Sequence, residues 1–224
     1  MNIKRAMEVC DELVKRGLDI RWTCETRADK LPRELVKKMK KAGCVWVSMG
    51  VETGDPHLLK TVGKVGYTTE TIEQAFRIAK EEGILRRAFV LVGLPGESWK
   101  TVENTRRLIE KVDPDALTVD IVTPYPGTAL YEMAERNNWL ITKDWNKYTT
   151  VDPIMSSDRF TDKDMRSARR YLLDQIEVRE KIGRIISAIE ERKFQDASME
   201  FKTALLDLPR NLWRLYNMVR CKLR

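Results

Sequence analysis

The chain has one histidine, four widely spaced cysteines and no long uncharged apolar run. Each scarcity removes a class of function. The single histidine, His57, follows Asp55-Pro56 at a helix start, where it reads as a solvent-facing side chain rather than a general base. No spacing supports a Ser–His–Asp triad. Cys10, Cys24, Cys44 and Cys221 form no close-set metal motif. Without an export signal they read as free thiols, and Cys24 and Cys44 fall in strand-like runs, where cysteine packs as a small hydrophobe. No stretch is apolar for long enough to span a membrane, and Met1 leads directly into a polar helical segment. Both features imply a cytoplasmic protein. Neither a P-loop nor a G-x-G-x-x-G motif is present, which ranks an unrelated nucleotide-binding αβ enzyme last.

The 224 residues suffice for one large domain, or one domain with an appendage, and the apolar fraction of 42% is ordinary. The formal net charge is +7, with 34 acidic residues interspersed, a balance that serves solubility rather than nucleic-acid binding. Helical spacing over residues 4–16 ends at Gly17 and is followed by a strand-like run, Ile20 to Cys24. The pattern then repeats. A helix over Leu31 to Ala42 ends at Gly43, and Cys44 to Met49 follows as a strand. A helix capped by Thr68 or Thr69 ends at Gly83, and Ala88 to Val92 follows. A helix from Trp99 to Val112 stops at Asp113-Pro114, and Ala116 to Val122 follows. Helix, turn, strand in succession predicts an α/β fold with a parallel sheet, either doubly wound or part of a (β/α) barrel. A full barrel has eight strands and needs ~250 residues, so about half of one is expected.

Three of these strands run into turns dense in Gly, Pro and small polar residues: VSMGVETGD (Val47 to Asp55), VLVGLPGES (Val90 to Ser98) and VTPYPGT (Val122 to Thr128). In parallel αβ folds, ligands bind at the carboxyl ends of strands. Gly50, Gly93, Gly96 and Gly127 let a backbone approach a ligand closely, while Pro95, Pro124 and Pro126 stiffen the turns. Glu52 and Glu97 offer acceptors to ribose hydroxyls or an ammonium group, although Glu97 just ahead of Trp99 also suits a helix start through its charge. Together the turns suit a nucleoside-like ligand with charged ends. Met49, Met133, Trp139 and Trp145 are pocket candidates, with core packing as the alternative for each.

The succession RWTCETRAD, AGCVWVSMGVETGD, Lys64, GILRRAFVLVGLPGES and TPYPGTALYEMA resembles the later half of a radical S-adenosylmethionine (SAM) core, closest to its cobalamin-dependent branch. The resemblance covers roughly residues 4–140. It implies a partial or full (β/α) barrel whose 4Fe–4S cluster, held by C-x-x-x-C-x-x-C, cleaves SAM reductively, with cobalamin as a further cofactor in that branch. It assigns Ser48, Gly50, Glu52 and Thr53 to the SAM ribose or amino-acid end. Gly93, Pro95, Gly96 and Glu97 fall beside the adenine, and Pro124, Pro126, Gly127 and Thr128 close over the nucleoside. Arg27 becomes a partner for the SAM carboxylate, since guanidinium binds carboxylate in two-pronged fashion; an ion pair with Asp29 or Glu25 is the alternative.

The match departs from the family at the cluster. No cysteine here has the motif's spacing, and no segment corresponds to the first two strands or to a cobalamin domain. The expectation is a piece of a radical SAM enzyme lacking its cluster-binding front end, with no metal ligands of its own and no cluster binding or SAM cleavage when alone. The missing half or a partner chain would complete it, acting on a small-molecule substrate. The competing expectation is a non-catalytic module that binds a partner through the strand-end edge or the basic tail. The expected organisation is a barrel core over residues 1–140, a loop-rich connection over 141–160 and a helical region over 161–224. At its end, Leu208 to Arg224 holds five basic and no acidic residues. Such a basic amphipathic helix can meet a membrane surface, but packing on the parent domain is preferred.

Overall fold

The structure, a computed structural model, describes residues 2–62 and 66–174; Lys64 and the basic segment 208–224 lie outside them. Four βα-type units follow one another. Asn2 caps α1 (Ile3–Lys15), accepting from the Arg5 N–H at 3.1 Å. After β1 (Trp22–Arg27) and a short 3-10 turn (Ala28–Lys30), α2 spans Arg33–Lys41. β2 (Cys44–Glu52) leads to Asp55, which caps α3 (Pro56–Thr61) with Pro56 in its first turn. Thr68 caps α4 (Thr69–Glu81), and β3 spans Leu85–Val92. Ser98 and Thr101 satisfy each other's backbone N–H groups in a capping box at the start of α5 (Trp99–Val112). β4 (Ala116–Ile121), α6 (Ala129–Arg136) and a helix over residues 162–174, α7, complete the described chain.

All three strand pairings are parallel and the spatial order is β1-β2-β3-β4. This order decides between the two folds left open by the pattern. Right-handed crossovers that always step in one direction put every helix on the same face of the sheet. A doubly wound sheet instead reverses its stepping to cover both faces. The chain is therefore an arc of a (β/α) barrel. Its helix-facing positions, among them Val47, Met49, Ala88, Val90, Val92, Val119 and Ile121, are buried. By register, Glu25, Ser48 and Arg87 form one row on the opposite face, and Arg27, Gly50, Phe89 and Thr118 form the next.

Two strands differ from expectation. β1 forms at Trp22–Arg27 rather than from Ile20, which is 40% exposed. β3 begins three residues earlier than its apolar run because Arg86 is accommodated: its Nε donates to Asp115 Oδ2 at 2.8 Å, and so does its backbone N–H. The stretch read as a loop-rich connection is largely irregular, holding a Leu140–Met155 bridge and a 3-10 turn at Trp145–Lys147. It nonetheless joins the main core through Met155 and Phe160, as α7 does through Met165, Ala168 and Leu172. Met49 is core, Trp139 is half-buried against it, and Met133 and Trp145 are exposed. No helix among the described residues is long and apolar enough to cross a membrane.

Candidate functional site

The candidate site is the edge formed by the carboxyl ends of β1 to β4. At the first of these ends, Arg27 turns to Asp29. Its Nε and Nη2 donate to the two carboxylate oxygens at 2.8 and 3.0 Å, the two-pronged geometry expected of guanidinium with carboxylate. The pairing holds Asp29 below the usual carboxylate range. The same guanidinium lies over the Tyr67 ring, 5.4 Å from its centroid. Tyr67 is 5% exposed and its hydroxyl bridges two strand ends, accepting from the Ala28 N–H at 3.3 Å and donating to the Gly50 carbonyl. Burial pushes its phenol up to about 12. Sequence reading missed Tyr67, because its partners lie far away along the chain.

β2 ends irregularly. The register with β3 shifts between Gly50 and Glu52, and Glu52 takes a left-handed φ of 64°. A bulge re-aims the side chains that follow it, and a positive φ at a non-glycine residue is uncommon and collects at functional sites. Glu52 is half-buried at the rim. Thr53 turns the other way. It is fully buried, with its hydroxyl 3.1 Å from that of Thr105 in α5 and accepting from the Asp55 N–H at 3.2 Å. Gly54 donates to Thr105 Oγ1 at 2.9 Å, and Asn104 Nδ2 donates to Asp55 Oδ2 at 3.0 Å. The ETGD turn is thus bolted to α5 from behind.

The turn after β3 is tied by its own acid. The Glu97 carboxylate accepts from the N–H groups of Gly93 and Leu94, the latter at 3.2 Å, and is 3% exposed. Burial pushes Glu97 up to about 7 against these two donors, and nearby Asp55 adds to the rise. The group shapes the turn rather than facing solvent. Gly93 has a φ of 95°, and a Cβ there would meet Met165 Sδ at 2.9 Å. α7 therefore seats on the turn where a side chain would otherwise stand. Trp99 helps hold that contact, donating from Nε1 to Asp164 at 3.1 Å and packing edge-on against Phe160. Pro95 and Gly96 remain at the open rim.

The turn after β4 is the most open. Pro124 is buried, but Tyr125 to Thr128 are exposed, and a Cβ at Gly127 would meet nothing within 4 Å. Thr128 caps α6, accepting from the Tyr131 N–H at 3.2 Å while donating to the Tyr125 carbonyl at 2.6 Å. The residues singled out from the sequence thus divide. Arg27, Gly50, Glu52, Pro95, Gly96, Pro126 and Gly127 stand at the rim. Ser48, Thr53, Gly93, Glu97 and Pro124 build the frame beneath it, and exposed Thr128 caps the helix that follows. His57 is exposed and gives only its backbone N–H to Asp55.

Among the described residues no group of three His, Cys, Asp or Glu side chains is arranged to hold a metal ion. Cys24 and Cys44 lie along β1 and at the start of β2, and Cys10 lies in α1. None of these three is at the strand-end rim, so among the described residues the thiolates that a 4Fe–4S cluster requires are not supplied there.

A family model described as the radical SAM superfamily matches residues 2–109. An uncharacterized methyltransferase of Pyrococcus horikoshii is 36% identical over 182 residues, covering 81% of this chain and 39% of the relative. The anaerobic magnesium-protoporphyrin IX monomethyl ester cyclase of Rubrivivax gelatinosus is 31% identical over 179 residues, covering 77% of this chain and 32% of the cyclase. The chain thus spans about a third to two fifths of these relatives. Among solved structures, the radical SAM methyltransferase TsrM of Kitasatospora setae, with tryptophan and a SAM analogue bound, superposes with a TM-score of 0.56 at 26% identity. That match covers 61% of this chain and 28% of TsrM. Coproporphyrinogen III oxidase (HemN) of Escherichia coli shares the fold, with a TM-score of 0.57 at 17% identity over 78% of this chain and 37% of that one.

Proposed function

The chain belongs to the radical SAM superfamily, and from that premise we propose that it supplies the SAM-facing strand ends of a cytoplasmic methyl-transferring enzyme. One observation carries the reading: three Gly-containing turns, two of them with proline, share one rim of a sequentially ordered parallel sheet, and the frame beneath them is already internally bonded. A preformed rim binds a ligand without spending binding energy on ordering its loops. Glu52 accepts hydrogen bonds from ribose hydroxyls or from the ammonium of SAM. Pro95 and Gly96 flank the adenine, and Pro126 and Gly127 bring backbone close to the nucleoside. Arg27, held in place by Asp29 and Tyr67, presents positive charge toward the SAM carboxylate. Methyl transfer is favoured over other outcomes by the P. horikoshii methyltransferase and by TsrM, whose structure with cobalamin and a 4Fe–4S cluster also matches, with a TM-score of 0.53. Cobalamin is accordingly the further cofactor of this proposal.

The residues described do not fit a cluster. We place its cysteine ligands outside this chain, in a further segment or a partner. Anaerobic reconstitution with iron and sulfide, followed by iron counting and a 5′-deoxyadenosine assay, tests this division. The expected result is far less than one cluster per chain and no 5′-deoxyadenosine. A stoichiometric cluster on this chain alone would overturn it.

A further inference from the structure

The turn after β4 begins a row of aromatic rings that the proposed function does not use. Tyr125 is 43% exposed in that turn, and its ring lies 6.0 Å from that of Tyr148. Tyr148 also stacks on Trp145, with centroids 4.9 Å apart and planes 28° from parallel. Trp145 is 64% exposed, and its Nε1–H has no acceptor among the described residues. Trp99 is the contrast. It is 45% exposed, but its Nε1 donates to Asp164, and Phe160 and Tyr171 pack edge-on against it. The fold accounts for Trp99 and leaves Trp145 unexplained. The backbone that carries these rings is braced. Ile121 gives its N–H to the Thr150 carbonyl at 2.7 Å, while Val122 gives its own to Val92 of β3 at 2.8 Å. Successive N–H groups of a strand point to opposite edges, so residues 149 and 150 lie along the edge of β4 away from β3. Thr123 Oγ1 adds a bond to the Thr149 carbonyl at 3.0 Å. The polar side chains of this segment are committed to it: Asp144 Oδ1 accepts from the backbone N–H and the Nδ2 of Asn146, both at 3.0 Å, and Thr149 Oγ1 accepts from the N–H of Asp152 at 3.1 Å. What the segment offers a ligand is chiefly ring faces. A contiguous apolar patch on a fixed frame, unlike a single exposed residue, signals a partner.

We propose that Tyr125, Tyr148 and Trp145 form a platform for a flat, conjugated ring system carried by the substrate. That the ring belongs to a substrate rests on the methyl-transfer reading; that a ring binds here does not. Aromatic faces favour an offset-stacked aromatic partner, and the near-parallel Trp145 and Tyr148 already hold that arrangement. A sugar would need hydrogen-bond partners for its hydroxyls, and the polar side chains of the segment are spent on its own backbone. Three rings in a row are wider than one six-membered ring, which suits a fused or macrocyclic system. Tyr125 shares its turn with Pro126 and Gly127, so the platform continues directly from the rim. It stands on the outer side of β4, past the last of the rim's turns, and a ring bound there lies beside the SAM nucleoside rather than in its place. Because the frame is preformed, little binding energy is spent on ordering it.

The test titrates the isotopically labelled intact chain, without SAM, with pyrene-1-sulfonate, a water-soluble fused ring, and follows the indole N–H signals. The expected result is a saturable shift of the Trp145 signal while that of Trp99 stays in place. Trp145→Ala should raise the Kd about tenfold, in line with the loss of one stacking face, and Trp145→Phe should restore most of the binding. Maltotriose and phosphatidylcholine vesicles should leave the Trp145 signal unmoved, and adenosine at equal concentration should not displace the probe. The proposal is overturned by no shift at Trp145, by an equal shift at Trp99, by a response to the sugar or the vesicles alone, by displacement with adenosine, or by a folded Trp145→Ala chain that binds as the wild type does. The wild-type titration decides the matter even if a variant fails to fold. Since SAM is absent throughout, failure here leaves the rim's assignment standing, and failure of SAM to bind at the rim leaves the ring site standing.

Discussion

Gly54→Ala is expected to lower stability by about 3 kcal/mol, near the upper end for overpacking a well-filled site, and to lower Tm by roughly 6–12 °C in a domain of this size. The new Cβ would stand 2.4 Å from the Asn104 carbonyl oxygen and 2.6 Å from Thr105 Cα. Both are backbone atoms inside α5, so neither can step aside as a flexible side chain does. Relief requires the ETGD turn to lift off the helix. That movement breaks the Gly54 N–H bond to Thr105 and the Asn104 bond to Asp55 together. Glu52 sits two residues upstream, so the rim should loosen as well as the fold. Gly127→Ala is the matched control. Its Cβ meets nothing within 4 Å, and only the φ of 83° opposes it, at a cost of about 1 kcal/mol. Thermal melts of the two variants side by side check the ranking. Equal losses would remove the argument that α5 fixes the turn.

The second large effect is a pH dependence centred on Glu97. In the folded chain its carboxyl is pushed up to about 7 by burial, against 4.5 for the free group. Between those values the unfolded chain has released the proton while the folded chain still holds it. Stability is therefore present in full below about pH 4.5, declines as pH rises through 7, and is level above that. The fall amounts to about 3 kcal/mol, taking 1.36 kcal/mol per pKa unit. Carboxylates held low by partners, such as Asp29 and Asp55, lose their contribution below this window rather than inside it. Glu97→Gln keeps an oxygen for the Gly93 and Leu94 N–H groups but cannot ionise. Denaturant unfolding from pH 5 to pH 8 should show a falling stability for the wild type and a flatter profile for the variant. A variant that retains the wild-type slope would contradict the assignment.

The sequence made the βα order legible because each unit carries its own punctuation: a capping side chain at the helix start, a glycine or Asp-Pro at its end, then an apolar strand. The turns were legible for the same local reason. What escaped was whatever depends on contacts between distant residues. Tyr67 reads as an ordinary residue before a helix, yet its hydroxyl joins Ala28 to Gly50. Asn104 and Thr105 look like polar helix positions, but they receive the ETGD turn. Arg86 interrupts an apolar run and obscures the start of β3, since its partner Asp115 belongs to the next unit. Glu97 is a different case. Its carboxylate folds back on N–H groups three and four residues earlier, a local spacing that could have been read as a turn lock instead of an outward-facing acceptor. Arg27 pairs with Asp29, one of its two expected partners, each two residues away.

The claim that these strand ends form a SAM-facing rim is tested most directly by titrating the isotopically labelled chain with SAM and following its backbone amide shifts. The account predicts changes concentrated at Gly50, Glu52, Gly96 and Gly127, with α1 unmoved. Shifts confined to α1 and the amino-terminal ends of the strands, or none at millimolar SAM, would contradict it.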